Sequence, residues 1–295
     1  MGETVAPEGL NEDDAAAREC GLALLAASTI YEDFIVPRRE GFLGRRGLPH
    51  HVGPTIGFVA RERRFLRGAY ILADNGCELE AEALLRSLFD FLVCQEWVAL
   101  DPTRNLALLV QDDQRWKQHW TSNVKKTLPG IESVVRSNLS PVQREEVAQY
   151  EAALPNIHAY VKREIGEEEP SRVPNIEQRA AATGLDFLYL VAYRSASHLS
   201  HPSMYAIDAV SEMTPKGLRV TATPPPHRRP RDVYVKGALL LREALDHAGR
   251  QWPRLHLDAV DEMATQLLEI QRRRLEANVP GWRGIFGEGA SSPIW

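Results

Sequence analysis

The segment YRSASHLSHPS, residues 193–203, places several hydrogen-bonding side chains at the end of the apolar stretch LDFLYLVA. Histidine titrates near neutral pH and can accept and donate protons during a reaction. Arginine stays charged and presents a fixed fork of donors to phosphate oxygens. Arg194 and His201 therefore have the side-chain types that could cleave a phosphodiester in RNA without a metal ion.

The spacing within this segment predicts one helix face. Phe187, Leu190, Arg194, His198 and His201 are separated by three, four, four and three positions. We expect this helix to run from Asn175 to His201, because the proline that follows disfavours helical geometry. The nearby hydroxyl groups belong to Ser195, Ser197 and Ser200.

A structural role is the alternative for the same residues. In that interpretation Arg194 is tied to an acidic side chain, and the two histidines hydrogen-bond carbonyl groups at a capped helix end. Residue types alone leave this alternative open, so the surroundings of the segment must decide between the two.

A second set of polar residues lies in the helix predicted for CELEAEALLRSLFDFLVCQEWVAL, residues 77–100. Glu78, Glu82, Arg86 and Asp90 follow one another at four-residue intervals and form one line along the helix. Such a line is often a solvated face, but residues 83–94 are apolar nearly all round, which indicates a buried helix. Buried charges are kept as a structural tie or as part of a site, and both remain open.

Arg194, six intervening residues and His201 resemble the Arg-x(4–6)-His signature of the HEPN superfamily (higher eukaryotes and prokaryotes nucleotide-binding). The LLRSLFD helix, residues 84–90, together with YRSASHLSHPS is similar to uncharacterised bacterial helical proteins. The resemblance covers about residues 77–203. One departure is Ser195, because the family often has a polar amide at this position.

This resemblance implies an all-helical, metal-independent ribonuclease that acts as a homodimer and uses no cofactor. It implies that Arg194 and His201 are catalytic, with Asp90 or Glu82 as the acidic partner of an arginine, whereas His198 has no counterpart in the family. It also implies a toxin or a defence or stress effector. In a straight helix the two catalytic residues would lie about 10 Å apart along the axis, so we expect a symmetric dimer to complete the site.

A basic region precedes these segments. Residues 38–67 contain eight arginines and two acids, and four of the arginines, Arg61, Arg63, Arg64 and Arg67, lie close together. Such a cluster could follow a nucleic-acid backbone. The alternative is a solvated arginine-rich loop and helix start.

Composition limits the partners of the protein. The net charge is −5 and the pI is near 6.0, so nucleic-acid binding would depend on a local basic patch. The chain has no apolar run of membrane-spanning length and no signal-peptide pattern, and its three cysteines are an odd number, which favours a cytoplasmic location and no membrane contact. None of the standard metal-ligand or phosphate-loop motifs occurs. A metal site formed by His198, His201 and Asp208, as in a nucleoside hydrolase or a metal phosphohydrolase, remains an alternative. A non-catalytic helical protein that binds a nucleotide or a partner is the rival function.

Hydrophobic periodicity is helical along most of the chain and predicts an all-α helical bundle in a single domain, residues 1–295. The core is expected over about 12–203, a small β-hairpin near 205–223, and a C-terminal helical pair over 232–277. The hairpin strands are expected at 205–210 and 218–223, with a turn at 211–217. Helix starts are expected at Asp101 and Ser140, each followed by proline, and a break near 74–76.

Overall fold

Helices form nearly all of the regular structure, and the predicted all-α class is confirmed. The computed structural model describes residues 10–31, 52–166, 173–194, 197, 211–220 and 232–278. The α-helices are α1 (Glu12–Ala27), α2 (Val52–Asp74), α3 (Glu78–Leu100), α4 (Pro102–Thr127), α5 (Ile131–Asn138), α6 (Pro141–Ile165), α7 (Ile176–Thr183), α8 (Asp186–Leu188), α9 (Val233–Gln251) and α10 (Asp258–Asn278). Two short 3₁₀ turns, Ser28–Tyr31 and Pro253–Leu255, and a π-helical turn, Tyr189–Arg194, complete them.

The predicted helix starts are confirmed by their capping contacts. The side chain of Asp101 accepts a hydrogen bond from the backbone N–H of Arg104 at 3.2 Å. The hydroxyl of Ser140 accepts from the backbone N–H of Gln143, whose side chain in turn accepts from the backbone N–H of Ser140. These contacts satisfy backbone donors that the first helical turn leaves unpaired.

The predicted break between α2 and α3 is also confirmed. Gly76 has a φ of 74°, a left-handed conformation that favours glycine. Its N–H bonds to Ala73 O, and the N–H of Cys77 bonds to Leu72 O. This pair of bonds is the Schellman arrangement that closes a helix C-terminus.

The chain divides into two compact units, residues 1–97 with 176–295, and residues 98–175. The periodicity of the sequence instead predicts one core over about 12–203. Folding of residues 1–295 as a single domain stays a prediction.

The first unit buries an apolar core in which α9 is the most enclosed helix. Leu240, Leu241 and Leu245 of α9 are at most 1% exposed and belong to the same core as Leu66 of α2 and Leu88 of α3. Each buried leucine contributes about 1.5–3 kcal/mol relative to an exposed one.

A hydrogen-bonded ion pair ties three helices of this unit together. Arg18 of α1 donates two hydrogen bonds to the carboxylate of Asp74 in α2, at 3.0 and 2.7 Å. The hydroxyl of Tyr234 in α9 donates to the same carboxylate at 2.7 Å. Because the ion pair is bidentate and the carboxylate has a third donor, its charges are well compensated.

The second unit is built from α4, α5 and α6 and is much more exposed. Tyr160 and Val161 of α6 are buried, and the hydroxyl of Tyr160 donates to Thr103 O in α4 at 2.8 Å. Several large apolar side chains are exposed instead: Trp116, Trp120, Leu128, Val134, Val135, Val142 and Tyr150.

Two short strands, β1 (Ser211–Thr214) and β2 (Gly217–Val220), pair antiparallel, with Ser211 opposite Val220. Their positions differ from the prediction, because β1 occupies residues expected to form the turn. The remaining residues of the predicted hairpin, 205–210 and 221–223, lie outside the described part of the chain.

None of the helices in the described part of the chain is long and apolar enough to cross a membrane.

Candidate functional site: the polar line of α3

The polar line of α3 faces other helices. Glu82 is 2% exposed, and Arg86 and Asp90 are half-buried. Their partners come from elements far away in sequence. A solvated face is therefore excluded for these three residues, and the two interpretations that remain are a structural tie and a site.

Glu82 is held by a lysine of α9. Its carboxylate accepts from Lys236 Nζ at 2.9 Å, and the same ammonium lies 3.3 Å from Asp232. Burial raises the pKa of Glu82, and the attraction of Lys236 offsets only part of that shift. Burial alone would lower the pKa of Lys236, but the two carboxylates outweigh it and raise that pKa. The expected arginine partner of Glu82 is therefore replaced by a lysine.

Arg86 is bound to Tyr193, one residue before Arg194. Its Nη2 donates to the Tyr193 hydroxyl at 2.7 Å, and its guanidinium carbon lies 4.7 Å from the centroid of the same ring. The ring also packs against Phe89, with centroids 5.8 Å apart. These contacts hold the turn that ends at Arg194 against α3. No ion pair joins Arg86 to Asp90 among the described residues.

Asp90 is influenced electrostatically by two arginines. Burial raises its pKa, and the positive charges of Arg86 and Arg179 partly offset the shift. Arg179 of α7 also donates to Cys94 Sγ, which continues the polar line of α3 at the next four-residue interval. Burial raises the pKa of the Cys94 thiol despite that arginine. The role of Asp90 as the acidic partner of an arginine stays a prediction.

The helix predicted from Asn175 to His201 is broken, which is a correction to the sequence analysis. Gly184 has a φ of 76°, its N–H bonds to Ala181 O, and the N–H of Leu185 bonds to Ala180 O, so α7 ends in a second Schellman arrangement. The chain then continues through α8 into the π-helical turn Tyr189–Arg194.

The π turn changes the hydrogen-bond spacing of the backbone before Arg194. Its hydrogen bonds run from residue i to i+5, so the three- and four-residue spacing of an α-helix does not apply through Arg194. The single face predicted for Phe187, Leu190 and Arg194 stays a prediction. Of the candidate site residues, Ser197 is helical and half-buried. The side chain of Arg194 and residues Ser195, His198, Ser200 and His201 lie outside the described part of the chain.

The four arginines predicted to bind nucleic acid do not form one surface. Arg61, Arg64 and Arg67 are exposed, and the guanidinium carbon of Arg61 lies 5.1 Å from the ring centroid of Phe65. Arg63 is 4% exposed. Its Nε donates to Ser28 Oγ and its Nη2 to Leu25 O, both at 2.7 Å. Arg63 therefore stabilises the core and cannot reach a nucleic-acid backbone.

A buried carboxyl lies next to Arg63 in the sequence. Glu62 is fully buried, and neither of its oxygens has a hydrogen-bond partner within the described residues. Burial, with a smaller effect from Glu96, raises its pKa well above the ordinary value. Burial therefore favours the neutral form of the Glu62 carboxyl. Glu96 of α3 has a partner of its own, because its Oε1 lies 3.4 Å from Nδ1 of His247, a buried residue of α9.

Within the described residues, no three side chains of histidine, cysteine, aspartate or glutamate lie close enough together to hold a metal ion.

The partners of the polar line, Lys236, Tyr193 and Arg179, were not predicted from the sequence, because they carry no motif and lie 85 to 154 positions along the chain from the residues they contact. Cys94 could have been found, since it extends the four-residue spacing of Glu82, Arg86 and Asp90 by one step.

The fold and these contacts define an all-α protein with a partly buried line of charges on α3. Residues 53–217, more than half of the chain, match the model of a protein family of unknown function (DUF5677). The chain belongs to this family. The match includes α2, α3, the second unit and the segment 193–203, and it ends before α9. No curated protein and no solved structure matches the chain.

Proposed function

We propose that this protein is a metal-independent endoribonuclease of the HEPN type, in which Arg194 and His201 are the catalytic residues. His201 would accept the proton of a ribose 2′-hydroxyl and return a proton to the leaving 5′-oxygen. Arg194 would neutralise the charge that develops on the phosphorus-bound oxygens. The attack forms a bond from the 2′-oxygen to phosphorus and breaks the bond to the 5′-oxygen.

The contact between Arg86 and Tyr193 is the observation that carries this proposal. It holds Tyr193, the residue before Arg194, against Arg86 of α3, and the charges of Arg86 and Arg179 act on Asp90 of the same helix. A π-helical turn ends at Arg194, and such turns are rare and frequent at functional sites. The proposal also includes a role as a toxin or as a defence or stress effector, which the HEPN resemblance alone supports.

A homodimer is part of the proposal, because one Arg-His pair on a single chain leaves the phosphate half enclosed. Leu190 in the π turn is 53% exposed, and an apolar side chain there gains from burial by a partner subunit. Its interface would include residues 175–201. Light scattering should give twice the chain mass of 33.1 kDa at micromolar concentration, and a monomer would count against the nuclease.

The products of the reaction test the chemistry. Purified protein with chelator should convert RNA into fragments with 2′,3′-cyclic phosphate and 5′-hydroxyl ends, because the internal 2′-hydroxyl is the nucleophile. DNA and 2′-O-methyl RNA lack that hydroxyl and should stay intact. Cleavage of either of them, or 3′-hydroxyl ends on the RNA products, would contradict the mechanism.

A non-catalytic nucleotide- or partner-binding protein is the second candidate. The observation that favours it is the pairing of Glu82 with Lys236, which assigns one of the predicted site residues to structure. In that case Arg194 and His201 would contact a ligand or stabilise the fold. Tight binding of RNA without any cleavage would support this candidate over the nuclease.

A further inference from the structure

The second unit carries a groove of about 970 Å³ between α4 and α6. Trp116 and Trp120 line it from α4, and Tyr150, Leu154 and His158 line it from α6. The two tryptophans are 62% and 56% exposed. Exposed apolar patches of this kind are uncommon on soluble proteins and mark binding surfaces.

The two indole rings are arranged for stacking. Trp116 and Trp120 are one helical turn apart, their ring centroids are separated by 6.4 Å, and their planes differ by 17°. They therefore offer nearly parallel aromatic faces to the solvent. Planar heteroaromatic rings such as nucleobases stack on faces of this type, whatever the base sequence.

The charged side chains that line the groove itself are basic. Lys117, Lys125 and Lys126 line the groove, and none of its described lining residues is a carboxylate. Lys117 forms an ion pair with Asp113 at 2.6 Å, and Lys125 with Glu132 at 2.7 Å. Neither carboxylate lines the groove. Both lysine side chains are still about half exposed, at 46% and 53%. An anionic ligand therefore fits the rim of the groove.

From these observations we infer that the groove binds single-stranded nucleic acid. Unpaired bases stack on Trp116 and Trp120, and the phosphates between them lie near Lys117, Lys125 and Lys126. A duplex does not fit this chemistry, because its base faces are covered by neighbouring base pairs. The inference depends only on α4 and α6 and holds whether or not Arg194 and His201 are catalytic.

Binding is best measured on the full chain carrying Arg194→Ala and His201→Ala, so that cleavage cannot alter the probe. Fluorescence anisotropy with labelled oligo-U and oligo-dT of about twelve nucleotides covers the range of single-strand sites. In this background Trp116→Ala with Trp120→Ala should weaken binding of both probes by about tenfold or more. Trp116→Phe with Trp120→Phe keeps aromatic faces and should retain most of the affinity.

Matched controls separate the groove from the rest of the unit. Val134→Ala and Val142→Ala remove exposed apolar side chains outside the groove and should leave affinity unchanged. Lys125→Ala with Lys126→Ala should lower affinity and reduce the slope of log affinity against log salt by about 1.4, because each phosphate contact with a single strand contributes about 0.7.

Three results would overturn the inference. One is unchanged affinity in the alanine pair while circular dichroism gives a native helix content. Another is equal binding of a duplex of the same length. The third is a fall from dimer to monomer in the alanine pair with unchanged oligonucleotide binding, which would make the groove an interface between two copies of the chain. Because these results are read from binding and mass, they are distinct from a failure to cleave RNA.

Discussion

Arg86 Nη2 lies 2.7 Å from the hydroxyl oxygen of Tyr193, and the guanidinium carbon lies 4.7 Å from the centroid of that ring. The two residues are 107 positions apart in the sequence. One side chain thereby fixes the turn before Arg194 through both a hydrogen bond and a cation–π contact. Tyr193 is therefore a positioning residue in the proposed site.

Tyr193→Phe should lower the kcat of RNA cleavage by roughly tenfold with little change in KM, because the ring stays but its hydrogen-bond anchor is lost. The loss of stability should be about 1 kcal/mol. Tyr160→Phe is the matched control, since it removes a hydroxyl that donates to Thr103 O at 2.8 Å in the second unit. Equal kcat losses in both variants would show that the effect is not specific to the site.

Lys236→Met should lower the free energy of unfolding by about 3 kcal/mol, because it leaves the carboxyl of Glu82 buried without its cation. Adding Glu82→Leu should recover part of that loss, since neither charge is then buried. Urea unfolding of the two single variants and the double variant gives the coupling energy between Glu82 and Lys236. Additive losses would mean that the pair does not act as a structural tie.

Glu62→Gln should stabilise the protein in a pH-dependent manner. The folded-state pKa of Glu62 is raised above 4.5, so the folded state holds a proton that the unfolded state loses. With the native glutamate, the free energy of unfolding therefore falls as the pH rises above about 4.5, by at most about 1.4 kcal/mol per pH unit. Glutamine is neutral throughout and avoids this loss.

Melting temperatures of the two proteins should accordingly converge below pH 4.5 and diverge toward neutral pH. Glu80→Gln, on the exposed surface of α3, is the control and should have no such trend. A constant difference between Glu62→Gln and the native protein across the whole pH range would rule out a raised pKa.

Arg64→Ala with Arg67→Ala should weaken RNA binding and reduce its salt slope by about 1.4, with an unchanged melting temperature. Arg63→Ala should do the opposite. It should destabilise the fold by about 2–3 kcal/mol, because hydrogen bonds of a buried charged group to Ser28 and Leu25 are lost, while the salt slope stays the same. An unchanged salt slope in the variant without Arg64 and Arg67 would show that these side chains contact solvent and not RNA.

The burial of Arg63 could have been predicted from the sequence. Val59, Glu62, Arg63 and Leu66 are separated by three, one and three positions, which is the buried-face spacing of a helix, and all four are buried. Residue chemistry suggested a surface role for Arg63, and periodicity would have corrected it. Helix caps and the break at Gly76 were predictable for the same reason, because they depend on neighbouring residues only.

Other features depend on contacts that no local pattern encodes. Glu82 and Lys236 are 154 positions apart, and no local sequence pattern predicts that they pair. The sequence AATGLD did carry a stop signal, since glycine favours the left-handed conformation at a helix end, but the apolar spacing after it suggested continuation. The π turn that follows has no simple sequence signature.

The central claim is that Arg194 and His201 cleave RNA together without a metal ion. It is tested by incubating a mixed RNA substrate with chelator and the native protein, Arg194→Ala, His201→Ala or His198→Ala. All four proteins must have matching melting temperatures, so that loss of activity is not loss of fold. We predict cleavage by the native protein, abolished by Arg194→Ala and by His201→Ala, and reduced to a smaller extent by His198→Ala. Cleavage that requires added divalent metal, or that persists in His201→Ala, would contradict the account.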